Sequence, residues 1–120
     1  MGTDPGLEKP LPEARALALL WAIFLAEGAC KAGVPFGWLP LKEAWKAGRV
    51  PFYLVMNQVR RELELEWRRY QKALAEGKWE EDYVRWLARV GYNANPAEWD
   101  AWEKNVRFFL KVITGSDKLE

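Results

Sequence analysis

The chain has no histidine, which removes zinc sites built on imidazole and triads that use histidine as base. Serine occurs once, as Ser116, and threonine only as Thr3 and Thr114, so a hydroxyl nucleophile is not expected. Cys30 is the single cysteine, which excludes an intramolecular disulfide, a CxxC redox pair and a cysteine-rich metal centre. The groups left for acid–base chemistry are carboxylates, tyrosine, lysine and Cys30. No metal or other cofactor is expected, and an enzyme built from this inventory would work through carboxylates.

Charge of one sign is also lacking: 18 basic residues stand against 17 acidic ones, a net charge of +1. A nucleic-acid-binding domain ordinarily carries a clear basic excess, so no nucleic-acid partner is expected. The longest apolar run, Ala16 to Ala26, is 11 residues, short of the roughly 20 needed to span a bilayer. It therefore reads as a buried helix, and no stable membrane insertion is expected. The segment before it holds Asp4, Glu8 and Glu13 among few basic residues, unlike a signal peptide. Gly28-Ala29-Cys30 is similar to the end of a lipoprotein signal, but Glu27 stands where that signal wants an aliphatic residue.

What the chain does have is tryptophan, eight in 120 residues, with half of all residues hydrophobic. That length is one domain, and that composition is globular. Tryptophans build cores, and they also stack on sugars or nucleobases. Residues 1–12, rich in proline and glycine, predict an irregular lead-in. A central helix is predicted from Glu13 to Glu27, stopped by Gly28, and a short one from Leu41 to Ala47, stopped by Gly48. Pro51 opens a long helix to about Glu76, with Phe52, Val55, Val59, Leu63, Trp67, Tyr70 and Leu74 as its apolar stripe. Arg60, Arg61, Glu64, Arg68 and Arg69 on its other faces read as a solvated surface.

Gly77 breaks the chain before a fourth helix, predicted over Glu80 to Val90. Asn95 then reads as an N-cap with Pro96 at the first helical position, and Glu98 stands where a capping-box acid would. The last helix, Ala97 to Thr114, is expected to present Trp99, Trp102, Val106, Phe109 and Ile113 on one face. No segment reads as a strand. The expectation is an all-α, single-domain bundle of about five helices over 13–114, with a mobile tail over 115–120.

Glu27 raises the functional question, because it ends a greasy helix. Burial against apolar groups raises a carboxyl's pKa, and the negative end of the helix dipole works in the same direction. An acid kept protonated in a hydrophobic pocket against a tryptophan is a known proton donor, and Trp21 or Trp38 is placed to be that tryptophan. The plain alternative is a solvated helix end.

Ala26-Glu27-Gly28 followed by Pro35-Phe36-Gly37 resembles small phage and bacterial proteins of the lysozyme-like, lytic-transglycosylase-like kind. Three further places look similar: Asn57 early in a long helix; Trp86-Leu87 leading to Tyr92; and Trp102, Asn105, Val106, Phe109 and Leu110 near the end. The resemblance spans about residues 14–113. It implies a lysozyme-like helical fold and cleavage of the β-1,4 glycosidic bond of peptidoglycan glycan strands, with Glu27 as general acid. In the transglycosylases of this kind the same glutamate then acts as base, so no second carboxylate is needed. Asp82 and Asp100 are the candidates for a second acid, and each also reads as a first-turn helix acid. The chain departs from the family at Ala29, Cys30, Lys31 and Ala32, where a small residue and a Lys-Thr pair are usual. Trp38 replaces an aliphatic residue, and Gly91 is one extra residue before Tyr92.

The expected substrate-binding residues are Phe36, Trp38, Asn57, Tyr92, Asn93 and Asn105. Phe36 and Trp38 would stack on sugar or plug the core. Asn57 and Asn105, beside apolar faces, would bind N-acetyl groups or tie helices together. Tyr92 and Asn93 would touch sugar or hold the turn before Asn95. Cys30 reads as a small buried filler. A monomer is expected, cytoplasmic or virion-associated. The competing reading is a non-catalytic helical phage or bacterial protein that docks on a host protein. An enzyme should hold Glu27 partly buried at the base of a groove lined by Tyr92, Phe36 or Trp38; a docking protein should leave it fully solvated.

Overall fold

The apolar run near the start of the chain folds as α1, Glu13–Ala26, and its place is central. Ala16, Ala18, Leu19, Leu20, Ala22 and Ile23 are all buried. Its most extensive partner is the last helix. The computed structural model describes residues 9–28, 33–92 and 95–117. Residues 1–8 of the expected lead-in, Cys30 with its neighbours in 29–32, Asn93, and the last three tail residues lie outside the described residues. α1 ends where Gly28 takes φ +68°, with the Glu27 N–H still donating to Ile23 O at 2.9 Å.

Two tight turns come next, Pro35–Gly37 and Leu39–Leu41, before the short α2, Lys42–Lys46. α3, Phe52–Ala75, starts directly after Pro51, in agreement with the proline signal. Its stripe buries Val55, Val59, Leu63 and Tyr70, but Leu74 is exposed and Glu66 and Ala73 are buried in addition. Glu66 tolerates burial because Trp86 Nε1 donates to it at 3.1 Å and Arg69 Nη1 at 2.7 Å. A buried carboxylate without such donors would cost several kcal/mol.

The fourth predicted helix starts later than expected, as α4, Tyr83–Trp86, because the Asp82 side chain caps it by accepting from the Arg85 N–H. It widens into a π-turn over Leu87–Gly91, closed by Tyr92 N–H on Leu87 O at 2.9 Å. Such turns insert one residue into a helix and re-aim the chain beyond it. Asn95 caps the last segment as predicted, accepting from Ala97 N–H at 3.1 Å. A turn over Pro96–Glu98 then leads into α5, Trp99–Thr114, which buries Trp102, Glu103, Val106 and Leu110 and ends at Gly115, φ +85°. The expected Ile113 is exposed and Phe109 half-buried, since the packed face drifts toward Leu110.

Among the described residues there is no strand, and the fold is an all-α single-domain bundle. Its Cα radius of gyration, 14.7 Å, is close to the about 13.6 Å expected of a compact chain this long. Tryptophan and its aromatic partners fill three regions. Trp21, Phe24, Phe36 and Phe52 pack together at one end of α1. Trp67, Tyr70, Tyr83, Trp86 and Trp79 form a chain between α3 and α4. Trp38, Tyr92 and Trp102 form the third group. Among the described residues no helix is long and apolar enough to cross a membrane.

Candidate functional site

The third aromatic group surrounds Glu27. The glutamate sits at the C-terminal cap of α1, and its side chain lines a groove of about 570 Å³ together with Gly37, Trp38, Leu39, Pro40, Glu62, Gly91, Tyr92, Asn95 and Glu98. Trp102 Nε1 donates to Glu27 Oε2 at 2.8 Å. The other oxygen, Oε1, faces the backbone of Gly37: a Cβ there would lie 2.7 Å from it, closer than any side chain permits. Burial raises the pKa of Glu27, the Trp102 hydrogen bond pulls it down, and the charge of Glu98 raises it again. The net direction is upward, so the proton is held longer than on a solvated glutamate.

The turn that carries Gly37 under the carboxyl is strained. Phe36 adopts φ +63° and Gly37 φ +62°. A non-glycine residue in that region costs on the order of 1–3 kcal/mol. Phe36 offsets this by packing its ring, fully buried, at 5.2 Å from Phe24 and 5.7 Å from Phe52, since burying a phenylalanine is worth about 1.5–3 kcal/mol. Its carbonyl accepts from the Tyr92 hydroxyl at 2.6 Å. Tyr92 is thereby pinned, with its ring stacked on Trp102 at 5.5 Å and packed on Trp38 at 5.9 Å. Burial, then the charges of Glu27 and Glu62, push its phenol well above the ordinary range, so it stays neutral and donating.

Of the residues expected to bind substrate, the structure brings Trp38 and Tyr92 to Glu27. Phe36 does not form a stacking platform: it contributes backbone to the site, while its ring is core. Asn57 is exposed on α3 and does not line the groove, because it lies about 200° around the helix from Val55 and Val59. Asn105 is exposed on α5 for a related reason, the buried face there being Trp102, Glu103 and Val106. Neither amide is buried, although both stand beside apolar faces in the sequence. The tryptophan beside Glu27 is Trp102, whereas Trp21 stands 42% exposed on α1.

Asp82 and Asp100 are not second acids of the groove. Asp82 binds Arg107 at 2.7 and 2.9 Å; burial would raise its pKa, but Arg107 and the Arg85 N–H hold it below the usual value. Asp100 pairs with Arg89 at 2.7 Å. Both belong to an ion-pair cluster around buried Glu103, which Arg85, Arg89 and Arg107 all contact. A depression of about 510 Å³ over this cluster is lined by charges that largely satisfy one another. The groove acids that sequence reasoning missed are Glu62 and Glu98. Glu62 and Glu66, two like charges four residues apart on one helix face, were the available signal, since such a pair is unfavourable without a reason.

No family model matches the chain, and neither a curated protein nor a solved structure does.

Proposed function

We propose that this protein is a peptidoglycan-cleaving glycosidase, of lysozyme or lytic transglycosylase type, with Glu27 as its general acid. The observation that carries the reading is one carboxyl, half-buried, beside an indole donor, lining a groove together with Trp38 and Tyr92. Glu27 protonates the glycosidic oxygen as the C1–O bond breaks. The Trp102 hydrogen bond holds Oε2 and so orients the carboxyl. Trp38 offers a face on which a sugar ring stacks, and neutral Tyr92 keeps the wall of the groove in place. A positioned acid of this kind is worth about 100- to 10,000-fold in rate.

The test is clearing of purified peptidoglycan by the unaltered protein beside Glu27→Gln, a near-isosteric change that removes the titrating group. Clearing should fall by about 100-fold or more in the variant. Equal clearing by both would refute the role of Glu27. The docking reading draws on a different feature, the exposed Leu17, Trp21 and Leu25 spaced along one face of α1. It would be favoured if both proteins fold equally well and neither acts on any wall type.

A further inference from the structure

We infer that Glu62 is a second acid–base group of the groove, and that the glycosidic bond is cut by water and not by internal closure to an anhydro sugar. The inference rests on the glycosidase reading and decides which of its two chemistries operates. Glu62 projects from α3 into the groove that Glu27 enters from the end of α1. Tyr92 lines the same groove, so one cleft is shared by two acids that come from separate elements.

Glu62 stands one helical turn before an anchored carboxylate, Glu66. Its carboxyl is within hydrogen-bonding reach of Glu66, which is only 3% exposed and is anchored by Trp86 Nε1 and Arg69. Space for that anchor comes from Gly91, where a Cβ would lie 2.7 Å from Glu66 Oε1. Gly91 is also the last residue of the π-turn that delivers Tyr92. Two carboxylates thus rest on two glycines: Glu27 against Gly37, and Glu66, one turn along α3 from Glu62, against Gly91. Glu98 lines the groove too, but it is exposed and acts through its charge on Glu27. Burial, then Glu66, raises the pKa of Glu62, with Arg69 opposing. A carboxylate whose pKa moves toward the working pH is a better acceptor of a proton.

The step balances with water alone. Glu27 gives its proton to the leaving oxygen and the C1–O bond breaks. A water oxygen bonds to C1 from the opposite face while its proton passes to the Glu62 carboxylate. Solvent then returns a proton to Glu27 and removes one from Glu62. The first product is a reducing sugar with inverted anomeric configuration.

The experiment tracks products from purified peptidoglycan, by mass spectrometry and anomeric NMR, for the unaltered protein, Glu62→Ala and Glu62→Gln, each with and without sodium azide. Both variants should melt near the unaltered protein, and Glu62→Gln keeps the side-chain volume if alanine disturbs α3. Reducing, inverted products are expected from the unaltered protein, with a loss of about 100-fold or more in both variants. Azide should restore turnover in Glu62→Ala and yield an α-glycosyl azide, a product that a merely structural role for Glu62 would not generate. Anhydro ends from the unaltered protein would overturn the inference, as would variants within about threefold of it or an absent azide product. Cleavage that needs Glu27 but not Glu62 overturns this inference alone. No cleavage by the unaltered protein overturns it together with the glycosidase reading.

Discussion

At the scale of single residues, the two oxygens of Glu27 differ in what holds them. Oε2 is held by Trp102, and Oε1 abuts Gly37. Trp102→Phe keeps most of the buried ring and deletes the N–H that favours the ionised carboxylate. The pKa of Glu27, already raised, should therefore rise further. Carbon-13 NMR titration of the Glu27 carboxyl reads this directly, and an unchanged midpoint would mean the hydrogen bond does not act on the charge. Gly37→Ala should fail differently. Its Cβ has no room beside Oε1, and φ +62° penalises any side chain. We expect a loss of about 1–3 kcal/mol by thermal or urea melting, together with lost wall clearing. A stable, active Gly37→Ala protein would contradict the packing described for the groove floor.

At the scale of elements, α4 and α5 are clamped by charge. Glu103 is pulled to about 2 because Arg85, Arg89 and Arg107 outweigh the desolvation that would raise it. A carboxylate depressed in the folded state stabilises the fold above its unfolded value of 4.5, and that contribution disappears as pH falls toward 2. Melting temperature should fall across that window. Glu103→Gln should cost about 2 kcal/mol at neutral pH and almost nothing near pH 2, and a penalty independent of pH would rule out this origin. The same elements show what pattern reading can reach. Gly28, Gly48 and Gly77 all take positive φ at the helix ends that the sequence predicts, because glycine adopts that conformation without a steric cost. The π-turn was legible only as one extra residue, Gly91, before Tyr92; its form was not, since a single inserted residue does not say whether the helix widens or ends there, which the Tyr92–Leu87 hydrogen bond shows.

At the scale of the whole molecule, α1 runs through the centre and delivers its terminal acid to the one place where three chain segments bring Trp38, Tyr92 and Trp102 together. Part of this arrangement was readable. An apolar run ending in Glu-Gly marks an acid at a hydrophobic helix end, and Trp38 and Tyr92 sit in glycine-punctuated loops of the kind that line clefts. Trp102 was hidden as an ordinary stripe residue, for pattern places its ring in the core without saying that its N–H meets Glu27. Glu62 was hidden inside a charged helix that reads as solvated. Phe36 reads equally as sugar platform or core plug, and it is core, because a left-handed φ turns its ring inward, which residue type alone does not reveal.

The most direct measurement is the mass spectrum of fragments released from purified peptidoglycan of several wall types, by the unaltered protein and by Glu27→Gln. Soluble fragments cut at the β-1,4 bond are expected from the unaltered protein, with nearly all of them lost in the variant. No fragments from any wall, with both proteins folded, would contradict the glycosidase reading.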